Sequence, residues 1–282
     1  MDVRFGAAGN SQSFYDQGYK SSLDMPAWLI KMSLRAYEYQ CSRGVRLKEE
    51  TARRLGEKAR ENGIALSIHG PYYINLATPD AEKREKTKGH LMKSLQAAKW
   101  MGATKVVFHP GATSGMKRSQ AMERAVNTLS EVVTEAEEKG FGDIKLAPET
   151  MGKSSLLGTV EEIIKLCRTG PSVVPTVDFG HLHAVMGGKL ETKEDFAEIL
   201  DRIETGLSKE AVINLHIHFS PIEYTKAGEK RHRTLLDEGY GPPFKPLAEL
   251  IKERKLNPTI ICESAGRQAE DALIYKQIYQ EI

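Results

Sequence analysis

The sequence predicts one (β/α)₈ barrel, the TIM-barrel architecture, as a single domain over residues 1–282. Short apolar runs alternate with segments of helical spacing eight times along the chain, and no proline-rich linker or change of composition interrupts them. The length fits one large barrel or two smaller domains, so the unbroken alternation favours one. A doubly wound sheet is the main alternative, but the strand count and the lack of a glycine-rich phosphate turn after the first strand argue against it.

Eight strands are predicted where apolar residues run together or alternate with polar ones. The expected ranges are residues 3–6, 35–40, 64–68, 105–108, 144–148, 173–177, 212–218 and 259–262. Within the seventh range, His216 and His218 are two residues apart, so both imidazoles lie on one face of the strand.

Eight helices are predicted between these strands from apolar residues that recur every three or four positions. Ala52, Leu55 and Ala59 show this spacing in the second helix, and Thr159 is an N-cap candidate for the fifth. The expected ranges are residues 24–32, 48–62, 80–101, 119–139, 159–167, 192–205, 244–255 and 268–282.

Composition indicates a soluble, cytoplasmic protein. The three cysteines are an odd number and widely spaced, which favours reduced thiols. We see no leader segment and no run long enough for a membrane span, and we expect a monomer. A net charge of +2 does not by itself indicate a nucleic-acid partner, so any affinity for phosphate must come from local clusters of basic residues such as Lys226, Lys230, Arg231 and Arg233.

Histidines and acids gather at the predicted strand ends. Of eight histidines, seven lie there and only His90 lies within a helix; we expect His183 and His218 to support the ligands from behind or to be structural. Glu149, Asp178 and Glu263 would meet at one mouth of the barrel, where unpaired buried charge costs several kcal/mol per ion. Mixed imidazole and carboxylate ligands suit Zn²⁺, with Mn²⁺ or Fe²⁺ as alternatives, and their number exceeds the needs of one ion. The sequence therefore predicts a cluster of two or three metals.

Several motifs carry a resemblance to a known family. They are His69-Gly70-Pro71-Tyr72-Tyr73, Phe108-His109-Pro110-Gly111, Pro148-Glu149-Thr150, Asp178-Phe179-Gly180-His181, His216 and Glu263-Ser264. In this order they resemble the endonuclease IV family of apurinic/apyrimidinic endonucleases (AP endonuclease family 2), within the xylose isomerase-like TIM-barrel superfamily. The match covers nearly the whole chain and looks like a divergent, archaeal-type branch.

The resemblance implies three zinc ions that activate a hydroxide to cleave double-stranded DNA 5′ to abasic sites. It places His69, His109 and Glu149 on one ion, and Glu149, Asp178, His216 and Glu263 on the second. His181 and His232 would hold the third. Glu149 would bridge two ions and Glu263 would orient the nucleophile.

Two departures from the family pattern affect these assignments. The family has Asp two residues before the third-site histidine, where this chain has Lys230, so Glu229 is a substitute ligand or the third site is weaker or empty. The family more often has Asn and Asp after the first histidine of the seventh strand, where this chain has Ile217 and His218.

The resemblance also suggests contacts with DNA. Tyr72 and Tyr73 are similar to residues that enter the helix when an abasic nucleotide is flipped out, although packing of their own loop explains them equally well. Lys230 and Arg231, with the basic residues on either side, would bind phosphates, or else form a solvated loop.

Two other functions are compatible with these residues. A sugar isomerase or epimerase of the same superfamily would hold one ion between Glu149, Asp178, His216 and Glu263, whereas the nuclease would also use the remaining histidines. A non-catalytic, metal-stabilised binding barrel would tolerate Glu263→Gln without any loss of function.

Overall fold

A computed structural model describes residues 3–282, and eight parallel strands form its barrel. These strands are β1 (Arg4–Ala8), β2 (Ala36–Gln40), β3 (Ala65–His69), β4 (Lys105–Phe108), β5 (Lys145–Pro148), β6 (Thr176–Asp178), β7 (His216–His218) and, last in the chain, β10 (Thr259–Cys262). Their order is β5-β4-β3-β2-β1-β10-β7-β6, and two parallel bridges, Leu146 to Val173 and Glu149 to Thr176, join the outer strands. The predicted (β/α)₈ fold is confirmed.

Helices pack around the barrel. They are α1 (Gln12–Asp16), α2 (Met25–Lys31), α3 (Glu49–Glu61), α4 (Ala81–Met101), α5 (Arg118–Glu138), α6 (Val160–Cys167), α7 (Phe179–Val185), α8 (Lys193–Gly206), α9 (Lys209–Ile213), α10 (Lys245–Glu253) and α11 (Gln268–Glu281). A 3₁₀ turn, Ser22–Asp24, precedes α2. Among residues 3–282, none of these helices combines the length and the apolar character needed to cross a bilayer.

The structure differs from the sequence prediction at the sixth and seventh strands. The sixth strand begins only at Thr176, because Pro175 has no N–H to donate to a ladder. Part of the predicted seventh strand is helix α9, which begins where the Ser208 side chain accepts a hydrogen bond from the Ala211 N–H. The sequence also did not predict the antiparallel hairpin of β8 (Ile222–Thr225) and β9 (Gly228–His232) or the short helices α1 and α7.

The barrel interior is narrow where β1 and β2 pair. Gly6 pairs with Ala36, and a Cβ on Gly6 would lie 2.0 Å from the Ala36 carbonyl oxygen. Ala8, Ala36 and Ile261 form a small apolar cluster beside it. Only glycine allows this close approach of two backbones.

Gly6→Ala should therefore destabilise the barrel. The obstacle is backbone rather than a movable side chain, so we expect a loss of about 3 kcal/mol in the free energy of unfolding, the upper range for overpacking. Urea unfolding of chelated protein would measure it. Gly89→Ala in α4 is the matched control, because a Cβ there meets no described atom within 4 Å and alanine favours helix by about 1 kcal/mol. Equal stability of the two variants would contradict the expectation.

Candidate metal centre

Ligand-type side chains from six strand ends, helix α7 and the hairpin converge at the carboxyl face of the barrel. All lie in groups of three or four residues whose ligand atoms are within 4.8 Å of one another. Those that the sequence predicted are His69, His109, Glu149, Asp178, His181, His232 and Glu263. A cleft of about 160 Å³ is lined by five of them, together with Tyr72 and Glu229: His69, His109, His181, His232 and Glu263.

Glu149 lies at the middle of these groups. One carboxylate oxygen, Oε2, is 3.1 Å from His69 Nε2 and 3.3 Å from His109 Nε2. The other, Oε1, is 3.1 Å from His218 Nδ1 and 3.4 Å from His181 Nδ1. Burial alone would raise the pKa of Glu149, but the surrounding imidazoles hold it well below its usual value. A fully buried carboxylate with imidazoles on both oxygens has the arrangement of a bridging metal ligand.

Asp178 shows that the donor set fits a metal. It ends β6 and caps α7, with its side chain accepting from the His181 N–H at 2.7 Å. Its other oxygen, Oδ2, is buried and has no hydrogen-bond partner among residues 3–282. Burial raises the pKa of Asp178, although His181 and His232 oppose the shift. Oδ2 lies 3.6 Å from His181 Nδ1, too far for a hydrogen bond, and a cation between Asp178, Glu149, His218 and Glu263 would satisfy this buried oxygen.

A further group lies beside the hairpin and combines Asp178, His181 and His232. His232 directs Nδ1 to Ser220 Oγ at 2.7 Å, and its Nε2 lies 3.7 Å from Glu263. Glu229, which we considered as a substitute ligand, lies with Oε2 3.3 Å from His181 Nε2. The hairpin thus brings the Glu229 carboxylate to this group. Glu229 lies three residues before His232, whereas the family pattern has its Asp two residues before the histidine.

Backbone carbonyls orient two of the imidazoles. His69 Nδ1 lies 2.9 Å from the Gly70 carbonyl oxygen, and His181 Nδ1 lies 2.9 Å from that of Thr150. If these Nδ1 atoms carry the protons, each Nε2 is left with a lone pair for a metal. Without metal, burial would lower the pKa of His69, but Glu149 raises it to about 9; the pKa values of His181 and His218 are raised well above the usual range.

The two histidines of β7 differ from expectation. His218, which we expected to support the ligands from behind or to be structural, contacts Glu149 and lies 3.4 Å from Glu263 through Nδ1. His216, the residue predicted as a ligand, is absent from the ligand groups of the described chain and instead places Nε2 2.8 Å from Glu38 Oε2. Alternation along a strand fixes the face of a side chain but not its depth in the barrel. His183 meets the Leu190 carbonyl oxygen at 3.1 Å, as a structural residue does.

Glu38 is the residue that sequence reasoning missed. It lies on β2 and is fully buried, and His216 and His218 both approach it across the barrel. Burial alone would raise the pKa of Glu38, yet the two imidazoles hold it well below its usual value. The available signal was an acid placed between two aromatic residues, Tyr37 and Tyr39, within a predicted strand.

The residues predicted to contact DNA lie at the rim. Tyr72 is 65% exposed and Tyr73 is 41% exposed, and the Tyr73 ring packs 4.7 Å from that of His90. Lys230 and Arg231 point outward from the hairpin, and both pair with Glu223.

Comparisons of sequence support the motif resemblance. The family model described as "Xylose isomerase-like TIM barrel" matches residues 27–279. An uncharacterized protein of Methanocaldococcus jannaschii is 32% identical over 278 residues, covering 99% of this chain and 97% of the relative. A probable endonuclease 4 of Aquifex aeolicus is 28% identical over 240 residues, covering 84% of this chain and 82% of the relative.

Comparisons of structure give the same fold. Endonuclease IV from Thermus thermophilus superposes with a TM-score of 0.72 at 21% identity, covering 99% of this chain and all (100%) of that one. A D-tagatose 3-epimerase-like protein gives 0.71 at 21% identity, covering 99% and 96%. The family that the motifs suggested is confirmed: this chain belongs to the xylose isomerase-like TIM barrel family, and its relatives include proteins named endonuclease 4.

Proposed function

We propose that this chain is a metal-dependent phosphodiesterase that cleaves double-stranded DNA 5′ to apurinic/apyrimidinic sites. The observation that carries the proposal is the position of Glu149, whose two oxygens face imidazoles of different ligand groups. A carboxylate shared between groups is suited to a cluster of ions rather than to one ion. Relatives named endonuclease 4 support the choice of a DNA substrate.

We assign the ligands as three sets that share residues. The first is His69, His109 and Glu149; the second is Glu149, Asp178, His218 and Glu263; the third is His181 and His232, with Asp178 or Glu229. His218 thus takes the place that the sequence suggested for His216. Zn²⁺ suits these mixed donors, with Mn²⁺ as the alternative.

Different residues of the site would have different roles in hydrolysis. Bound divalent ions supply Lewis acidity and lower the pKa of a bound water. Glu149 holds the ligand sets at a fixed spacing. Glu263 lies beside His218 and His232 and lines the open cleft, so it is placed to orient the attacking water. His181 and His232, with Glu229, lie on the hairpin side, where the leaving oxygen would depart.

The rim supplies groups for DNA. Lys230, Arg231 and Arg233 share the Glu223 carboxylate, and Arg233 also lies 3.5 Å from Asp237, so three positive charges face two negative charges and a surplus of one remains for phosphates. Tyr72 lines the cleft and is the more exposed of the two loop tyrosines, which suits an aromatic ring that takes the place of a flipped nucleotide.

We place the protein in the cytoplasm as a monomer. The three cysteines are free and buried, in keeping with a compartment that keeps thiols reduced.

A sugar isomerase or epimerase is the second candidate. The set Glu149, Asp178, His218 and Glu263 could hold a single ion, and the D-tagatose 3-epimerase-like protein shares the fold. The number of bound metal ions distinguishes the two functions, because the isomerase needs only this ligand set and the nuclease also needs the histidines around it.

Purified protein supplied with Zn²⁺ or Mn²⁺ should nick a duplex that contains a tetrahydrofuran abasic-site analogue, and a chelator should stop it. The nick should lie on the 5′ side of the analogue in a gel assay, and metal analysis should give two or three ions per chain. An undamaged duplex of the same sequence is the control. A single ion per chain, together with no nicking, would overturn the nuclease proposal.

A further inference from the structure

Glu38 has no part in the proposed chemistry, yet it lies directly below the ligand sets. Its Oε2 accepts from Ser67 Oγ at 2.8 Å and lies 2.8 Å from His216 Nε2. Its Oε1 lies 3.0 Å from His218 Nε2. Oε2 is thus in hydrogen-bond contact with two side chains, whereas the contact of Oε1 with His218 is close but is not a hydrogen bond, since Nε2 has no hydrogen-bond partner among residues 3–282.

His218 consequently lies between carboxylates on both sides of its ring. Nε2 faces Glu38, while Nδ1 faces Glu149 at 3.1 Å and Glu263 at 3.4 Å. Nδ1 is in hydrogen-bond contact with Glu149, whereas Nε2 has no hydrogen-bond partner among residues 3–282. A neutral imidazole carries one proton, so a metal bound to Nδ1 would leave that proton on Nε2, beside the Glu38 carboxylate.

We propose that Glu38 is a positioning residue of the metal centre, which fixes the ring and the tautomer of His218 while His216 and Ser67 hold Glu38 in place. The inference rests on the proposed metal centre. A carboxylate behind a metal-bound imidazole makes that imidazole a better ligand, and the loss of such a partner usually costs about 10–100-fold in metal affinity.

Direct ligation by Glu38 is the rival explanation, because Glu38, His69, His218 and Glu263 also have ligand atoms within 4.8 Å of one another. The contacts favour the positioning role. A ligand oxygen must turn a lone pair to the metal, whereas Ser67 and His216 already occupy Oε2 and His218 faces Oε1.

The test is Glu38→Gln, which keeps the size of the side chain and removes its charge. Titration with Zn²⁺ against a chromophoric chelator should show one binding step weakened by about 10–100-fold, with the number of ions at saturation unchanged. The visible spectrum of the Co²⁺-loaded protein should shift, since the field of the His218 ligand changes. A purely structural role would lower the stability of chelated protein but leave the spectrum and the affinity unchanged.

Tyr37→Phe is the matched control. Tyr37 is also buried on β2, on the opposite face of the strand from Glu38, and its hydroxyl donates to Asn10 Oδ1 at 2.7 Å. It should leave Zn²⁺ affinity and the Co²⁺ spectrum unchanged. If Glu38→Gln does not fold, Ser67→Ala removes one donor to Glu38 and should weaken Zn²⁺ by several-fold.

The outcomes separate the inference from the proposed function. Unchanged Zn²⁺ affinity in folded Glu38→Gln, or in Ser67→Ala where that variant replaces it, overturns the positioning role. The loss of one ion at saturation in Glu38→Gln makes Glu38 a ligand and also overturns it. Failure of the unaltered protein to bind any Zn²⁺ or Co²⁺ instead removes the metal centre on which the proposed function depends.

Discussion

Glu149→Ala should abolish nicking of the abasic duplex and release most of the bound metal. It removes the carboxylate that faces His69, His109, His181 and His218, so two ligand sets lose a member. Metal ions contribute several kcal/mol to stabilising a transition state, which corresponds to a loss of at least about 10³-fold in rate. Single-turnover nicking at saturating Zn²⁺, with metal analysis of the dialysed protein, would measure both effects.

Two further variants control this experiment. Glu149→Gln keeps the volume of the side chain and should be nearly as inactive, which separates loss of charge from loss of packing. Glu253→Ala removes an exposed glutamate that pairs with Lys193 on the outer helices and should nick at the normal rate. If Glu149→Ala retained nicking, the bridging assignment would be wrong.

The fold and most of the site followed from the sequence because both depend on local patterns. Glu149, Asp178 and Glu263 directly follow or end predicted strands, and His69 and His109 lie at the ends of two more. In a parallel barrel all strands end at the same face, so these side chains must converge whatever the details of packing. No contact between distant residues was needed for this prediction.

The parts that the sequence did not predict depend on depth and on contacts across the barrel. His216 and His218 share a face, but only the pairing of β7 with β10 and β6 shows that His218 lies at the level of Glu149. Glu38 reaches them from β2, which is not a neighbour of β7 in the sheet. Nor could spacing alone show that the hairpin bends Glu229 toward His181.

Removing the metal should make the stability of the protein fall as pH rises from about 6.5 to about 9. In the chelated protein Glu149 raises the pKa of His69 to about 9 against the opposing effect of burial, and the pKa values of His181 and His218 are raised too. A raised histidine pKa contributes stability that is complete below the usual value of about 6.5 and is lost as pH passes through the folded value. For His69 alone the loss is about 3 kcal/mol.

Two acids of the centre, Glu149 and Glu263, do not contribute in this window. The pKa values of Glu149 and Glu263 are depressed, that of Glu263 to about 2, so the stability they provide is lost only as pH falls below about 4.5. Metal-loaded protein should behave in the opposite way. Because Zn²⁺ binds only deprotonated imidazole, the rise in Tm that stoichiometric Zn²⁺ produces should be larger at about pH 8.5 than at about pH 6.

Urea unfolding of chelated protein across this pH range would measure how its stability falls. Thermal unfolding with and without Zn²⁺ would measure how the rise in Tm depends on pH. His69→Gln should make the stability of chelated protein fall less steeply with pH, because it removes one of the imidazoles that lose a proton in this range. His90→Gln is the matched control: burial lowers the pKa of His90, so its stability contribution changes below about pH 6.5 and the slope above it should be preserved. A chelated protein whose stability was level or rising across this range would show that the imidazoles do not share protons with Glu149, and the electrostatic basis for a metal at that position would be lost.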